Sequence, residues 1–368
     1  MKTAKRLALL FVLTFAALLC GCESGEVQRR VVIHAMGIDP HEKGYEVSYQ
    51  IFSGGEADSG PIDASESTVV TLLAQGRTLF EAEESLRLQT GKEVFLGDAE
   101  LIVISEDLKD ADLVEFLQYF RRADLYLGVN VVFCRGSAAD AIGTKLEQGS
   151  ATAILLRGVV EQAIKSGRAF SSRIMELSNA IEHDGEAAAI PILSLEKGEK
   201  TEDDKSISDL TIGVFGAQVV SPDGAVGELD ENAAMGLRLL RADARQLSLE
   251  VAVSGGTAAV VIDNMKIKRK ISVSGGVPYI RLNIRGRYDI RSSPTGVDEE
   301  EIKQAAQMQL LALCEAASKA VRDGGVDLIQ LQKLLMKYET KYAESLNGDY
   351  SEAVKQTVYS VSTSLSKY

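Results

Sequence analysis

VPYIRLNIRGRYDIR, residues 277–291, decides how the C-terminal part of the chain folds. Ile280, Leu282, Ile284, Tyr288 and Ile290 fall on one side of an extended backbone, and Arg281, Asn283, Arg285, Arg287, Asp289 and Arg291 on the other. Side chains alternate along a strand, so this is a long strand with one buried and one wet face. Met265–Val273 alternates in the same way, with Lys266, Lys268 and Lys270 on its polar side. Gly275-Gly276 between the two is the turn of a hairpin. Seven cations, Lys266, Lys268, Lys270, Arg281, Arg285, Arg287 and Arg291, then gather on one hairpin surface. Such a face is either a solvated surface that also protects a sheet edge, or a contact for an anionic partner or for lipid headgroups.

Outward from this hairpin, Asp298 caps a long helix, and Leu328, Leu331, Leu335, Tyr338 and Tyr342 trace a second. Thr357–Leu365 alternates again. Residues 247–368 therefore read as an α+β domain: an antiparallel sheet with two long helices on one face. On the N-terminal side, Asp230 caps a helix to Arg241 and Ile207–Val220 is a strand, together a small middle domain over 199–246. The charged stretch Gly198–Ser206 reads as the linker before it. In 31–198, strands Val31–Ile38 and Tyr45–Phe52 flank a turn at Asp39–Gly44. Thr78 and Glu81 form a capping box for the next helix. Leu101–Ile104 is a short continuous apolar run, as in a strand buried on both faces. Leu113, Phe116, Leu117 and Phe120 mark a helix, Gly128–Cys134 a strand, and Ser137 the start of another helix. This rhythm predicts a mixed α/β sheet with crossover helices, and Pro191 in Ala187–Leu195 predicts an edge or irregular strand. The expected fold class is mixed α/β and α+β, in three domains.

The chain has 368 residues, a net charge of −13 and no tryptophan, which argues against nucleic acid as a partner. The three histidines, His34, His41 and His183, are scattered. HExxH, CxxC, phosphate-loop, GxGxxG and GxSxG patterns are absent, and no carboxylate pair stands out by spacing. Cys134 and Cys314 have apolar neighbours and read as buried thiols. The sequence thus predicts no catalytic residues, no metal and no cofactor, and a binding or assembly role.

At the other end, Lys2, Lys5 and Arg6 precede an apolar run, Leu7–Leu19, broken only by Thr14. The run is short for a membrane span and suits a secretory signal. Leu19-Cys20-Gly21-Cys22 follows it and resembles the bacterial lipoprotein signal. That resemblance implies a signal peptide over 1–21. It also implies a diacylglyceryl thioether on Cys22, with or without an N-acyl chain, and a polar tether over 22–30. The rest would be a body outside the cytosol tied to a bilayer, since two or more acyl chains anchor stably.

Five stretches in order resemble the C-subunit lipoproteins of bacterial spore germinant receptors, the Ger(x)C family. They are VVIHAMGIDPHEKGYEVSYQIF at 31–52, QGRTLFEAEESL at 75–86, EVFLGDAELIVISEDL at 93–108, LVEFLQYFRRADLYLGVNVVFCRGSAADAI at 113–142 and ISDLTIGVFGAQVVSPDGAVGELDENAAMGLRLL at 207–240. The chain departs from the family at Glu23-Ser24-Gly25, where Trp-Asp is usual, and it lacks the tryptophan-containing region before the last strand. The resemblance implies a three-domain lipoprotein without catalysis on the outer face of the cell membrane, in spores the inner spore membrane. It implies assembly with two integral membrane partners, the A and B subunits, to trigger germination in response to small nutrients. Of the family's functional residues, the lipidated cysteine transfers, to Cys22. Two other classes fit a lipid-anchored body: a solute-binding lipoprotein of an importer and an anchored envelope enzyme.

Overall fold

The computed structural model describes residues 29–53, 68–111, 113–144, 152–183, 186–197 and 210–368. Cys22, the signal segment and the linker Gly198–Ser206 lie outside them. Among the described residues the first sheet contains nine strands. They are β1 (Arg30–His41), β2 (Gly44–Ser53), β3 (Thr68–Gly76), β4 (Glu93–Phe95), β5 (Leu101–Ser105), β6 (Asn130–Cys134), β7 (Ala188–Lys197), β8 (Leu210–Ser221) and β9 (Gly224–Leu229). Their order is β3-β2-β1-β5-β6-β7-β8-β9, with β4 pairing β1 at the side. The centre is parallel, β1 to β5 to β6 to β7, as the strand–helix rhythm requires. Antiparallel hairpins flank it on both sides.

Five helices cover the two faces of this sheet: α1 (Leu79–Thr90), α2 (Leu113–Arg122), α3 (Ala138–Gly143), α4 (Thr152–Lys165) and α5 (Ile174–Ser178). Alternate residues of β5 go to opposite cores. Ile102 and Ile104 pack with Leu79, Leu86, Phe116, Phe120 and Ile174, whereas Leu101 and Val103 pack with Ala138, Ile142, Leu156 and Val160. That is why the run Leu101–Ile104 has no polar position. The capping at Thr78 is observed, with Glu81 N donating to Thr78 Oγ1 at 3.1 Å. The first turn is tighter than the sequence suggested: β1 runs on to His41 and only Glu42-Lys43 turn. Asp39 thereby lies inside the strand, and its carboxylate accepts from Ala138 N (2.7 Å) and Ala139 N (2.8 Å) at the start of α3. β7 is an interior strand, not an edge. Pro191 is accommodated beside a bulge in the β7–β8 ladder, where Gly216 adopts φ 74°.

Helix α6 (Glu231–Arg241) leads into the second sheet: β10 (Leu247–Val253), β11 (Gly256–Ser274), β12 (Val277–Ser292) and β13 (Val358–Lys367), in that order. The predicted hairpin is present, turning at Gly275-Gly276 with Ser274 opposite Val277. Two details differ from the sequence reading. β13 joins β12 in parallel, so the sheet is mixed. The connection between them is helical, and a crossover returns the chain in its starting direction. The second long helix is instead three short ones after α7 (Glu299–Gly324): α8 (Leu331–Tyr338), α9 (Thr340–Ser345) and α10 (Ser351–Gln356). Glu339, at φ −135°, breaks the helical run between α8 and α9.

The segment drawn as a middle domain does not stand alone. β7 and β8 pair with each other, Lys197 opposite Leu210, so β8 and β9 extend the first sheet. Helix α6 belongs to the other side. Ala233, Ala234, Leu237 and Leu240 join one core with Leu310, Leu313 and Ala317 of α7, and this core also takes in Ala189, Ala217 and Leu229. At Gly236 the helices touch backbone to backbone, since a Cβ there would lie 1.8 Å from Leu313 O. One polar side chain fastens the junction. Arg238 Nη1 donates to Ile164 O (2.6 Å) and Ala169 O (2.7 Å), and its Nε donates to Asp243 Oδ1 (2.9 Å). Charged donors to buried carbonyls are each worth roughly 1.5–3 kcal/mol. Arg238→Ala should therefore lower stability by about 3 kcal/mol. Arg238→Lys should recover only part of it, because a point charge cannot span three acceptors. Urea midpoints of the three chains check this; equal midpoints would show that the arginine fastens nothing.

Candidate functional site: a cationic sheet face

β11, β12 and β13 bury one side and leave the other open. The inward positions of β12, Ile280, Leu282, Ile284 and Tyr288, are buried against the helices, while Arg281, Arg285, Arg287 and Arg291 are exposed. On β11 the phase changes partway. Ala258, Val260 and Ile262 face inward, then Met265, Ile267, Arg269 and Ile271. The switch from even to odd numbers is a bulge between Asp263 and Lys266, where Asn264 adopts φ 49°. Without that extra residue Lys266, Lys268 and Lys270 would point into the core. Arg269, on the inward side, donates to Leu240 O (3.1 Å) and Ile329 O (2.7 Å) and so satisfies its buried guanidinium.

Register brings the outward side chains together. Lys266 lies opposite Arg285, Lys268 opposite Asn283 and Lys270 opposite Arg281. On the next strand Ser360, Ser362, Ser364 and Ser366 lie opposite Arg281, Asn283, Arg285 and Arg287. Neighbouring strands are about 4.8 Å apart and like-facing residues about 6.8 Å apart, so the cations form a close lattice bordered by hydroxyls. Among the described residues, Lys266, Lys268, Lys270, Arg281, Arg285 and Arg287 make no ion pair. Arg285 Nε donates to Asn283 Oδ1 (3.0 Å), Asn283 donates to Ser362, and Arg287 lies 5.7 Å from the Tyr368 ring. Arg291, the seventh cation expected here, pairs with Asp289 at 3.2 Å past the bulge and stands apart.

The remaining candidates are quiet chemically. Cys134 and Cys314 are buried free thiols as expected, and burial pushes each up to about 12, so neither is a nucleophile near neutrality. Among the described residues no group of three metal-ligating side chains converges, and no helix is long and apolar enough to cross a membrane. A cavity of about 500 Å³ lies between α1 and α2. Its buried Glu83 is held by Tyr119 Oη at 2.8 Å and by Arg87 Nη2 at 2.5 Å, and burial pushes the Tyr119 phenol up. A second cavity of about 420 Å³ lies at the junction near Arg238, Arg241, Glu186 and Lys333. Sequence reasoning found neither, because each joins residues far apart in the chain without a motif.

Fold and site together define a class: a two-sheet mixed α/β protein that presents an open charged face. Residues 23–195 match the spore germination protein N-terminal domain, and residues 216–366 match the spore germination B3/GerAC-like C-terminal domain. The chain belongs to this family of spore germinant receptor C subunits. Its fold agrees with the crystal structure of the GerBC protein, at a TM-score of 0.58 and 15% identity, over 90% of this chain and 96% of that one. An alignment to the central domain of yeast acetyl-CoA carboxylase, at 10% identity over 90% of this chain and 43% of that one, has a TM-score of 0.19, too low to carry an argument. A search of curated proteins returns no match.

Like charges directly opposite on a sheet destabilise it by roughly 0.2–1 kcal/mol per pair. Lys266–Arg285 and Lys270–Arg281 are such pairs. Replacing Lys266 and Lys270 together by Thr, a better strand former, should raise stability by about 1 kcal/mol. A lowered urea midpoint in the double variant would show that the lysines support the fold.

Proposed function

We propose that this protein is the non-catalytic C subunit of a spore germinant receptor, a lipoprotein held by acyl chains on Cys22 at the outer face of the inner spore membrane. There it assembles with two integral membrane partners, the A and B subunits, which carry the receptor through the bilayer. Together they trigger germination in response to small nutrients. The observation that carries the reading is the pair of family matches, one on each half of the chain. The inertness of both described thiols and the commitment of Glu83 to Arg87 and Tyr119 support a role in assembly over one in catalysis.

The test is to solubilise spore membranes, capture this chain and identify what comes with it. Two multi-span proteins are expected, and recovery of none removes the reading. Cys22→Ala should leave the body folded but move it out of the membrane fraction, with germination weakened or lost. Full membrane retention of that variant would defeat the anchor.

A further inference from the structure

The strongest unexplained feature is a set of six cations that the fold does not need. They project from a protein with a net charge of −13 and make no ion pair among the described residues. Two of their cross-strand pairings are repulsive, so the sheet tolerates a cost in keeping them. Positions that break a local rule without a structural return mark function.

We propose that the outward face of β11–β13 is a bilayer-docking surface, on which the phosphates of anionic lipid headgroups are taken by Lys266, Lys268, Lys270, Arg281, Arg285 and Arg287. The proposal rests on the Cys22 anchor for its setting and adds an orientation to it: lipid fixes that the body is near the membrane, and this face fixes which side turns toward it.

Four observations favour a headgroup surface over a protein partner. The centre of the face, around Lys268, Asn283, Arg285 and Ser362, is entirely polar, whereas protein interfaces that bind stably have an apolar core inside a polar rim. Here the arrangement is inverted. The exposed apolar groups Tyr279 and Val358, which face each other in register, and the exposed Tyr368 lie at the margin, where amphipathic side chains settle into a membrane interface. The row beside the arginines is serine, which donates to phosphate oxygens and adds no competing carboxylate. The acids of this face, Asp263, Asp289 and Glu250, stand to one side of the cations, and Asp263 meets them only at their border, opposite Arg287. Asp263 and Asp289 lie at and past the bulge, and Glu250 on the far strand β10. A second copy of the chain is disfavoured for the same reason, since a two-fold contact would set cations against cations. Cys22 is eight residues from Arg30, so the tether spans at most about 28 Å, and the anchored body samples the bilayer at high effective concentration.

The test uses the mature chain, residues 22–368, carrying Cys22→Ala so that no acyl chain contributes. It is sedimented with vesicles of phosphatidylcholine alone and with vesicles that also contain phosphatidylglycerol. Binding should appear on the anionic vesicles, weaken as salt rises and be minimal on phosphatidylcholine. Reversing three charges together, Lys268→Glu, Arg281→Glu and Arg285→Glu, should reduce it by at least about a hundredfold. Arg291→Glu, at the cation already paired with Asp289, should change it little. The triple variant's urea midpoint should not fall, which separates lost docking from lost folding. Equal binding to both vesicle types, or full binding by a folded triple variant, overturns the proposal. A third result overturns it while leaving the receptor reading intact: no vesicle binding by the unmodified face, together with loss of the multi-span partners from a lipidated triple variant. That pattern would mean the face meets protein. Retained partners with lost vesicle binding support it.

Discussion

Helix α6 is buried over nearly its whole circumference. A helix with that much apolar surface cannot lie against one neighbour and face water on the other side. It needs cover from both directions, and the end of the first sheet and helix α7 provide it. Gly236 sets how close α7 comes, because any side chain there would strike the Leu313 carbonyl. Arg238 is the polar group this burial has to accommodate, and it ends on carbonyls from the far side of the junction. The end of the first sheet and the inner face of the second therefore share one core around α6, and the chain is not two beads on a string. The second sheet uses its inner face for this interior, and that leaves its outer face available.

What happens on that outer face follows from strand geometry. A strand has two sides and no third, so every residue committed to the core fixes its neighbours as outward. β12 keeps this rule from Val277 to Ile290. β11 would break it, because its inward residues sit at even positions before Asn264 and at odd positions after it. The bulge reconciles the two halves and delivers the lysines to the same side as the arginines. The inward cation, Arg269, shows what the alternative costs: it needs backbone carbonyls from two other elements to be tolerated. Core and charged surface are thus two readings of one alternation.

Much of this was legible in advance, for reasons that differ by element. The β11–β12 hairpin was readable because its alternation is long and its turn is Gly-Gly. The buried parallel centre was readable because Leu101–Ile104 admits no polar residue. Thr78 and Asp230 announced their helices through capping chemistry, and Asp230 Oδ1 does accept from Ala233 N at 2.7 Å. Cys134 and Cys314 read correctly as buried thiols from their apolar neighbours. What failed to show were relations between distant parts. Strand direction in β13 depends on how the intervening helices route the chain, which no local pattern encodes. The pairing of β7 with β8 was hidden by the charged stretch between them, whose composition reads as a linker. Of the seven cations assigned to the face, Arg291 fell outside because its neighbour Asp289 neutralises it, a matter of rotamer and of the bulge more than of alternation. Arg238 looked like one more surface arginine on a capped helix, since nothing in its own segment says that carbonyls from residues 164 and 169 wait for it.

The parallel last strand has a further consequence, for the order in which the molecule is made. Asn283 and Ser362 are cross-strand neighbours yet stand 79 residues apart, so β12 is synthesised well before its partner. During that interval β12 is a bare edge, with backbone donors and acceptors open to another chain in the same state. Arg281, Arg285 and Arg287 project from that edge and repel its like, as charge on an unpaired strand does. The residues that crowd the finished surface with positive charge are thus also of the kind that discourages edge-to-edge pairing of an open strand.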